Sequence, residues 1–312
     1  MKKTKIFIDG KEGTTGLRIF ERLSNRDDVE IMTLPEELRK DTAARKAALN
    51  SCDIAFLCLP DAAAIEAVSL IDNPEVKVID ASTAHRTLPD WAYGFPELSA
   101  AHLEKIKNSK RVAVPGCHAS GFIALIYPLV ANGILPENAL LACTSVTGYS
   151  GGGKKMIAQY ESLNREAFLN SPRQYGLTQE HKHLKEMKAI TGIEKFPAFS
   201  PIVADYYSGM AVTIPLFKEN LCEGKGVEDI IAVYKNTYTS DFVKYTEDLG
   251  ADAMFCAEKM SGNDGMEILV NGNEDRILLM ARYDNLGKGA SGAAIECMNI
   301  LMGIDPKTGL NL

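Results

Sequence analysis

The segment KIFIDGKEGTTGLRIFERL, residues 5–23, constrains the fold more than any other. A short β-rich run stops at Gly10. Gly13 and Gly16 complete a G-x-x-G-x-x-G array, and Leu17, Ile19, Phe20 and Leu23 then recur at helical spacing. Strand, glycine turn and helix in that order open a parallel α/β arrangement, and the next hundred residues repeat the alternation. VEIMTL (29–34) reads as a second strand and ELRKDTAARKAALNSC (37–52) as a helix with exposed charges. DIAFLCLP (53–60) is an apolar run bounded by proline, the pattern of a strand covered on both faces. DAAAIEAVSLI (61–71) is a helix with an Asp cap, and VKVIDAS (76–82) and RVAVPG (111–116) are two more buried-type strands. The first 117 residues therefore predict a doubly wound parallel sheet.

After residue 117 the character changes. ALLACTSVTG (139–148), MAVTIPLF (210–217), MEILVNG (266–272) and RILLMARYD (276–284) are longer strands with partial alternation, and helical stretches such as GVEDIIAVYKNTY (226–238) lie between them. That predicts an α+β domain with a mostly antiparallel sheet. GASGAAIECMNILMGI (289–304) is again an apolar helix. A length of 312 residues fits two domains at roughly 150 each, and 46% hydrophobic residues suffice for a core.

The formal net charge of −7 argues against a nucleic-acid or anionic-membrane partner. The basic start MKKTK leads into too short an apolar run for a signal-peptide core, and no run of about 18 apolar residues could span a membrane. Seven cysteines without a C-x-x-C pair argue against a disulfide framework or a structural zinc site, and fit a reducing cytoplasm.

A glycine array between the first strand and the first helix lets backbone approach a pyrophosphate, while free N–H groups at the helix start bind the anion. A dinucleotide is the expected ligand, although a plain tight turn has the same outline. The second strand ends MTLPEELRK, with Thr33 and Leu34 where NAD sites usually place a carboxylate and with Arg39 and Lys40 close behind. This leans toward a 2′-phosphate and NADP(H). Glu36 and Glu37 weaken the lean, and Lys40 also fits a solvated helix face.

Cys117 follows the strand at 111–115 and opens a helix, where free N–H groups and the helix dipole stabilise a thiolate. Cys58, Cys143 and Cys297 lie in apolar runs and read as inert core thiols. A nucleophilic cysteine needs a base. Of the five histidines, His102 sits in a polar helix and is expected at the surface, and His118 adjoins Cys117 without having to face it. His181 and His183 stand two apart in EHKHLKEM and alternate faces if the chain is extended. They could also bind metal, but no third ligand is evident. GYSGG (148–152) matches the G-x-S-x-G nucleophile elbow around Ser150, yet no aspartate lies between Ser150 and the following histidines. The glycines at 151–153 with Lys154 fit a loop closing over a ligand.

With these pieces the chain resembles the N-acetyl-γ-glutamyl-phosphate reductases of arginine biosynthesis in their shorter form, and more distantly the aspartate-semialdehyde dehydrogenases. The match runs through the Gly10 array, DIAFLCLPDAAA, VIDASTAHR, YGFPEL, VPGC, TGYSGGGKK, HKHLKEM, GMAVTIPL and DNLGKGASGAA. The resemblance implies an NADP-binding Rossmann domain formed by 1–117 and 286–312, with an inserted α+β catalytic and oligomerisation domain over 118–285. The final helix would then pack on the first domain.

Carried onto this chain, the resemblance implies Cys117 as nucleophile and His183 as acid/base, with His181 as the alternative. It implies Arg86, Ser150 and His181 in substrate binding. Gly10, Gly13, Thr14, Thr15, Gly16, Arg39, Ser82, Asn285, Gly287 and Lys288 would lie along the NADP(H) site. It implies a small acyl-phosphate substrate and a dimer or tetramer in the cytoplasm. The longer family members read Cys-Tyr-Pro where this chain has Cys117-His118-Ala119, so the resemblance gives His118 no role. A sister enzyme acting on aspartyl phosphate and a non-catalytic NADP-binding sensor are the alternatives, and the sensor should lack a complete Cys/His/Arg set.

Overall fold

The computed structural model describes residues 3–312; Met1 and Lys2, part of the expected basic start, lie outside the described residues. The chain divides into two compact units. The first takes the chain up to Pro96, then Ala101–Pro115 and Ala290–Leu310; the second takes Glu97–Ala100, Gly116–Gly289 and Asn311–Leu312. Cys117, Gly287 and Lys288, placed by the sequence reading in the nucleotide-binding domain, belong to the second unit.

The elements up to residue 113 are β1 (Thr4–Asp9), α1 (Thr14–Leu23), β2 (Val29–Met32), α2 (Thr42–Ser51), β3 (Ile54–Leu57), α3 (Asp61–Ser69), β4 (Lys77–Asp80), β5 (Ala92–Tyr93), α4 (Ala100–Lys107) and β6 (Arg111–Ala113). The six strands form one parallel sheet in the order β2-β1-β3-β4-β6-β5. Strand order reverses between β1 and β3, and ligands of open α/β sheets bind outside the carboxyl ends of the strands at such a point.

One part of the core sets Ile6, Ile8, Phe56 and Ile79 against Ile19 of α1 and Ile106 of α4; the other sets Phe7, Ala55 and Leu57 against Leu49 of α2 and Ala67 of α3. A fully buried side chain of this size contributes about 1.5–3 kcal/mol. Three expectations differ from the structure. Asp61, expected as a cap, is the first residue of α3 after Pro60, and its carboxylate accepts from the Thr83 N–H at 2.9 Å. The helix expected over 37–52 begins at Thr42, because the Asp41 side chain caps it by accepting from the Ala44 N–H at 2.7 Å. His102, expected at the surface, is half-buried on α4, where burial pulls its pKa below the usual value.

The second unit contains α5 (Cys117–Ala131), β7 (Ala142–Gly148), α6 (Gly153–Tyr160), β8 (Arg173–Gln174), α7 (Leu184–Thr191), β9 (Ala198–Ala204), β10 (Met210–Phe217), α8 (Val227–Thr237), β11 (Val243–Tyr245), β12 (Met266–Gly272) and β13 (Arg276–Tyr283). The strands form a mixed sheet in the order β11-β12-β13-β10-β7-β9-β8, antiparallel except for β11 with β12 and β7 with β9. The chain then returns to the first unit as α9 (Gly292–Met302), whose Ala294, Ile295 and Met298 join the core beside Ile6 and Ile79. Among the described residues no helix is long and apolar enough to cross a membrane.

Helix α5 is apolar throughout and buried on nearly every side, packed against α7, α8, β10 and β13. Pro128 inside it has no N–H to give to the Ala124 carbonyl four residues back. The Tyr238 hydroxyl donates to that carbonyl instead, at 2.6 Å, and Tyr234 donates to the Leu125 carbonyl at 2.7 Å. A buried carbonyl left without a partner costs about 1–3 kcal/mol. Tyr238→Phe should therefore destabilise the protein by about that amount in chemical denaturation; an unchanged midpoint would mean that the proline gap in α5 needs no outside donor.

Candidate active site

At the carboxyl end of β1 the chain turns through Gly10, whose φ of 84° lies in the left-handed region. A Cβ on Gly10 would stand 2.3 Å from the Cys58 carbonyl oxygen, and one on Gly16 would stand 2.5 Å from that of Gly10. Those two glycines let the turn pack against itself. Gly13 differs: it is exposed and caps α1 with no side-chain hydrogen bond. The N–H groups of the first turn of α1 are thus left to an anion. Thr14 Oγ1, in that turn, is buried and has no hydrogen-bond partner among the described residues. Thr15 beside it is half-buried. These features fit a dinucleotide phosphate.

A cleft of about 610 Å³ runs from this turn past the end of β2, lined by Asp9, Gly10, Glu12, Thr33, Arg39 and Lys40 among others. The Arg39 guanidinium is held by two carboxylates, Glu12 at 3.1 Å and Glu36 at 2.6 Å. Asp9 is buried against Arg45 at 3.0 Å, and burial raises its pKa despite that cation.

The loop after β4 is knitted around the fully buried Asp80. That carboxylate accepts from the Ser82 hydroxyl at 2.6 Å and the Ser82 N–H at 2.9 Å, and lies 2.6 Å from His85 Nδ1. Ser82, expected along the cofactor, thus has its hydroxyl committed to Asp80. Arg86 is buried and donates to the carbonyls of Val114, at 2.8 Å, and Ala81, at 3.2 Å. It braces the ends of two strands, three residues before Cys117 in the chain.

Cys117 is the first residue of α5, half-exposed, after Gly116 in extended geometry at the cap. The Gly116 N–H donates to the buried carboxylate of Glu186, on α7, at 3.1 Å. The Tyr283 hydroxyl donates to the Cys117 carbonyl at 2.5 Å and accepts from the Gly121 N–H at 3.0 Å. A Cβ on Gly289 would come within 3.1 Å of Cys117 Cβ, so glycine there leaves room for the thiol carbon. By contrast, burial pushes Cys58 and Cys52 up to about 12 and Cys143 higher, which leaves them as inert thiols.

His181 and His183 do not point to opposite faces. The chain turns into α7 at His183, whose N–H donates to His181 Nδ1 at 3.2 Å, and the rings stand 4.7 Å apart and nearly perpendicular. Accepting at Nδ1 places the proton of neutral His181 on Nε2. His118 completes the cluster, 5.7 Å from His181 and 5.8 Å from His183 between ring centroids. Its Nδ1 meets Ser145 Oγ at 2.7 Å and its Nε2 meets Tyr175 OH at 2.6 Å. Burial pulls His118 down to about 3 and His181 to about 4, with the neighbouring charges of His181 and Lys182 adding to the two shifts. Among the described residues no three His, Cys, Asp or Glu side chains are placed to hold a metal ion.

The remaining expected residues are in the second unit. Asn285 bridges two loops: its Oδ1 accepts from the Gly209 N–H at 2.9 Å and its Nδ2 donates to Ser150 Oγ at 3.0 Å. Ser150 is buried and pairs with that amide, which is unlike the serine–histidine pairing of a nucleophile elbow. Gly287 sits where a Cβ would be 2.3 Å from the Asn263 carbonyl. Lys288 is buried and ion-paired to Glu97 at 2.6 Å. Tyr175, Ser145, Glu186 and Tyr283 were not singled out by the sequence. Only Glu186 had a signal, its place three residues after His183 in HKHLKEM.

His118 gives a pH test. The unfolded chain binds a proton there below about 6.5, and the folded protein binds one only near 3. Its contribution is therefore complete above pH 6.5 and is lost as pH falls toward 3, by up to about 1.4 kcal/mol per pH unit. Denaturation midpoints should fall between pH 6.5 and 4, and less steeply in His118→Gln; equal slopes would contradict a buried neutral imidazole.

Two family models match the chain: the semialdehyde dehydrogenase NAD binding domain over residues 5–106 and the semialdehyde dehydrogenase dimerisation domain over 117–285. N-acetyl-gamma-glutamyl-phosphate reductase 2 of Nostoc sp. is 44% identical, covering 99% of this chain and all of that one. The N-acetyl-gamma-glutamyl-phosphate reductase of Rhizobium meliloti is 44% identical over 96% of this chain and 99% of its own. Aspartate semialdehyde dehydrogenase II of Vibrio cholerae, solved with ASA, shares the fold with a TM-score of 0.71 at 16% identity, covering 97% of this chain and 99% of that one. The Candida albicans enzyme, solved with NADP, does so at 0.64 and 16%, covering 96% and 99%. By its two matched domains and its full-length relatives, the chain belongs to the N-acetyl-gamma-glutamyl-phosphate reductase family of the semialdehyde dehydrogenases.

Proposed function

We propose that the protein reduces N-acetyl-L-glutamyl 5-phosphate to N-acetyl-L-glutamate 5-semialdehyde with NADPH, releasing phosphate, as a step of arginine biosynthesis. The full-length relatives carry that name. The observation that carries the chemistry is the half-exposed Cys117 at the first position of a 15-residue helix, in the same unit as a cluster of three histidines.

The N-terminus of α5 favours the thiolate of Cys117. The thiolate attacks the acyl carbon, a C–S bond forms, the C–O bond to phosphate breaks, and the phosphate leaves with the electron pair. NADPH supplies the hydride that reduces the resulting thioester, a group that is more reactive than an acid and is held in place by the chain. His183 protonates the oxygen of the thiohemiacetal, then takes that proton back as the C–S bond breaks, giving the aldehyde and the thiolate. His183 is assigned this role, with His181 as the alternative. Burial pulls His181 down to about 4, so its imidazole is neutral, with the proton on Nε2 available to substrate.

The exposed Gly13 cap and the buried, unpartnered Thr14 hydroxyl are the main supports for cofactor phosphate binding, with Gly10 and Gly16 shaping the turn and Thr15 beside it. Arg39, in the lining of the cleft, is the group to meet a 2′-phosphate, sharing its charge with Glu12 and Glu36. Ser82, Asn285, Gly287 and Lys288 act through the loops they hold. Arg86 and Ser150 are assigned to substrate binding by the resemblance to the family. A homo-oligomer is proposed from the description of the 117–285 model, and a reducing, cytoplasmic setting from the seven free cysteines.

Cys117→Ser tests this directly. Phosphate-dependent NADP reduction with N-acetylglutamate semialdehyde should fall by about a thousandfold or more, with NADPH affinity in calorimetry changed less than about twofold. Substantial turnover by the variant would rule out covalent capture. A wild-type preference for aspartate semialdehyde in the same assay would reassign the substrate.

A further inference from the structure

Two tyrosine hydroxyls bond the start of α5, Tyr283 at the Cys117 carbonyl and Tyr175 at the ring of the adjacent His118, and they differ in what they have left to give. Tyr283 is fully used: its proton goes to the Cys117 carbonyl and its oxygen accepts the Gly121 N–H. Tyr175, half-buried on the segment after β8, meets only His118 Nε2 through its hydroxyl among the described residues. Which of the two atoms donates decides whether Tyr175 can serve a ligand as donor or only as acceptor.

Ser145 settles the direction. It is fully buried on β7, and His118 Nδ1 is the partner of its hydroxyl among the described residues. Buried donors left without an acceptor are rarer than acceptors left without a donor, so the Ser145 O–H donates and Nδ1 accepts. A neutral imidazole that accepts at Nδ1 carries its proton on Nε2. Nε2–H then donates to the Tyr175 oxygen, and the phenolic proton remains for another acceptor.

We propose that His118 is a positioning residue that holds the Tyr175 hydroxyl proton toward a carbonyl or anionic oxygen of the acyl group carried on Cys117. Tyr175 is then a further catalytic residue of the reaction. This rests on the covalent reading under the proposed function. Burial and the nearby Cys117 charge push Tyr175 above its usual pKa, so the proton stays on the oxygen and the hydroxyl acts as a donor, not as an anion. The same burial keeps His118 neutral, as the tautomer requires.

Removing only the hydroxyl with Tyr175→Phe should lower kcat about 10- to 100-fold. KM for the acyl phosphate, NADPH affinity and the rate of Cys117 alkylation by iodoacetamide should each stay within about threefold. His118→Phe should show the same loss. His118→Gln, whose side-chain amide N–H can stand in for Nε2–H, should recover most of it. The double variant Tyr175→Phe/His118→Phe should be no slower than Tyr175→Phe, since the two act as one unit. If His118→Phe does not fold, Ser145→Ala makes the test by removing the donor that sets the tautomer, and kcat should fall about three- to tenfold. Unchanged kcat in Tyr175→Phe, multiplicative losses in the double variant, or full activity in Ser145→Ala would each overturn the proposal. A wild-type protein with no turnover of the acyl phosphate would overturn the functional reading beneath it as well.

Discussion

A helix buried on nearly every side cannot leave its backbone polar groups without partners, and helix α5 in the second unit meets that requirement with side chains from distant segments. Helix α5 has an N–H to satisfy at its cap, a carbonyl in its first turn, and a gap at Pro128. Glu186, Tyr283, Tyr238 and Tyr234 supply the partners. The residues that let α5 be buried also hold the frame of Cys117. Glu186 and Tyr283 bond the backbone on either side of the thiol, so structural satisfaction and placement of Cys117 are one set of contacts.

Much of this could be read from the chain. The alternation of β-rich runs and helical patterns identified the parallel sheet, and the first glycine array marked the turn at the strand-order reversal. The position of Cys117 could be read because proline, glycine and a following apolar run mark a strand end and a helix start. Other features depend on contacts distant in sequence. His118 meets Ser145, 27 residues on, and Tyr175, 57 residues on, and no periodicity encodes either pairing. The charges of 37–52 match a helix face from its first residue, while the helix begins at Thr42 after the Asp41 cap. His181 and His183 alternate faces only in an extended chain, and α7 begins just after His183.

The same distinction applies to the residues carried over by resemblance. Gly10 and Gly16 are explained by close backbone approach in the turn itself, and Gly13 stands exposed at the helix cap. Ser82, Asn285 and Lys288 have polar groups engaged with Asp80, Ser150 and Glu97. Those contacts fix the side chains within their loops, and side chains that hold a loop rigid pre-organise it. Burying Lys288 against Glu97 also means that losing either partner alone would leave an unbalanced charge in the interior.

The central claim is that Cys117 carries the acyl group. Intact-protein mass spectrometry after mixing the enzyme with N-acetylglutamyl phosphate, without NADPH, addresses it most directly. A covalent mechanism predicts a mass gain of one N-acetylglutamyl group, located on the peptide containing Cys117, reversed by hydroxylamine and absent in Cys117→Ser. An unmodified Cys117 under conditions in which the complete enzyme turns over, or the same adduct in Cys117→Ser, would contradict it.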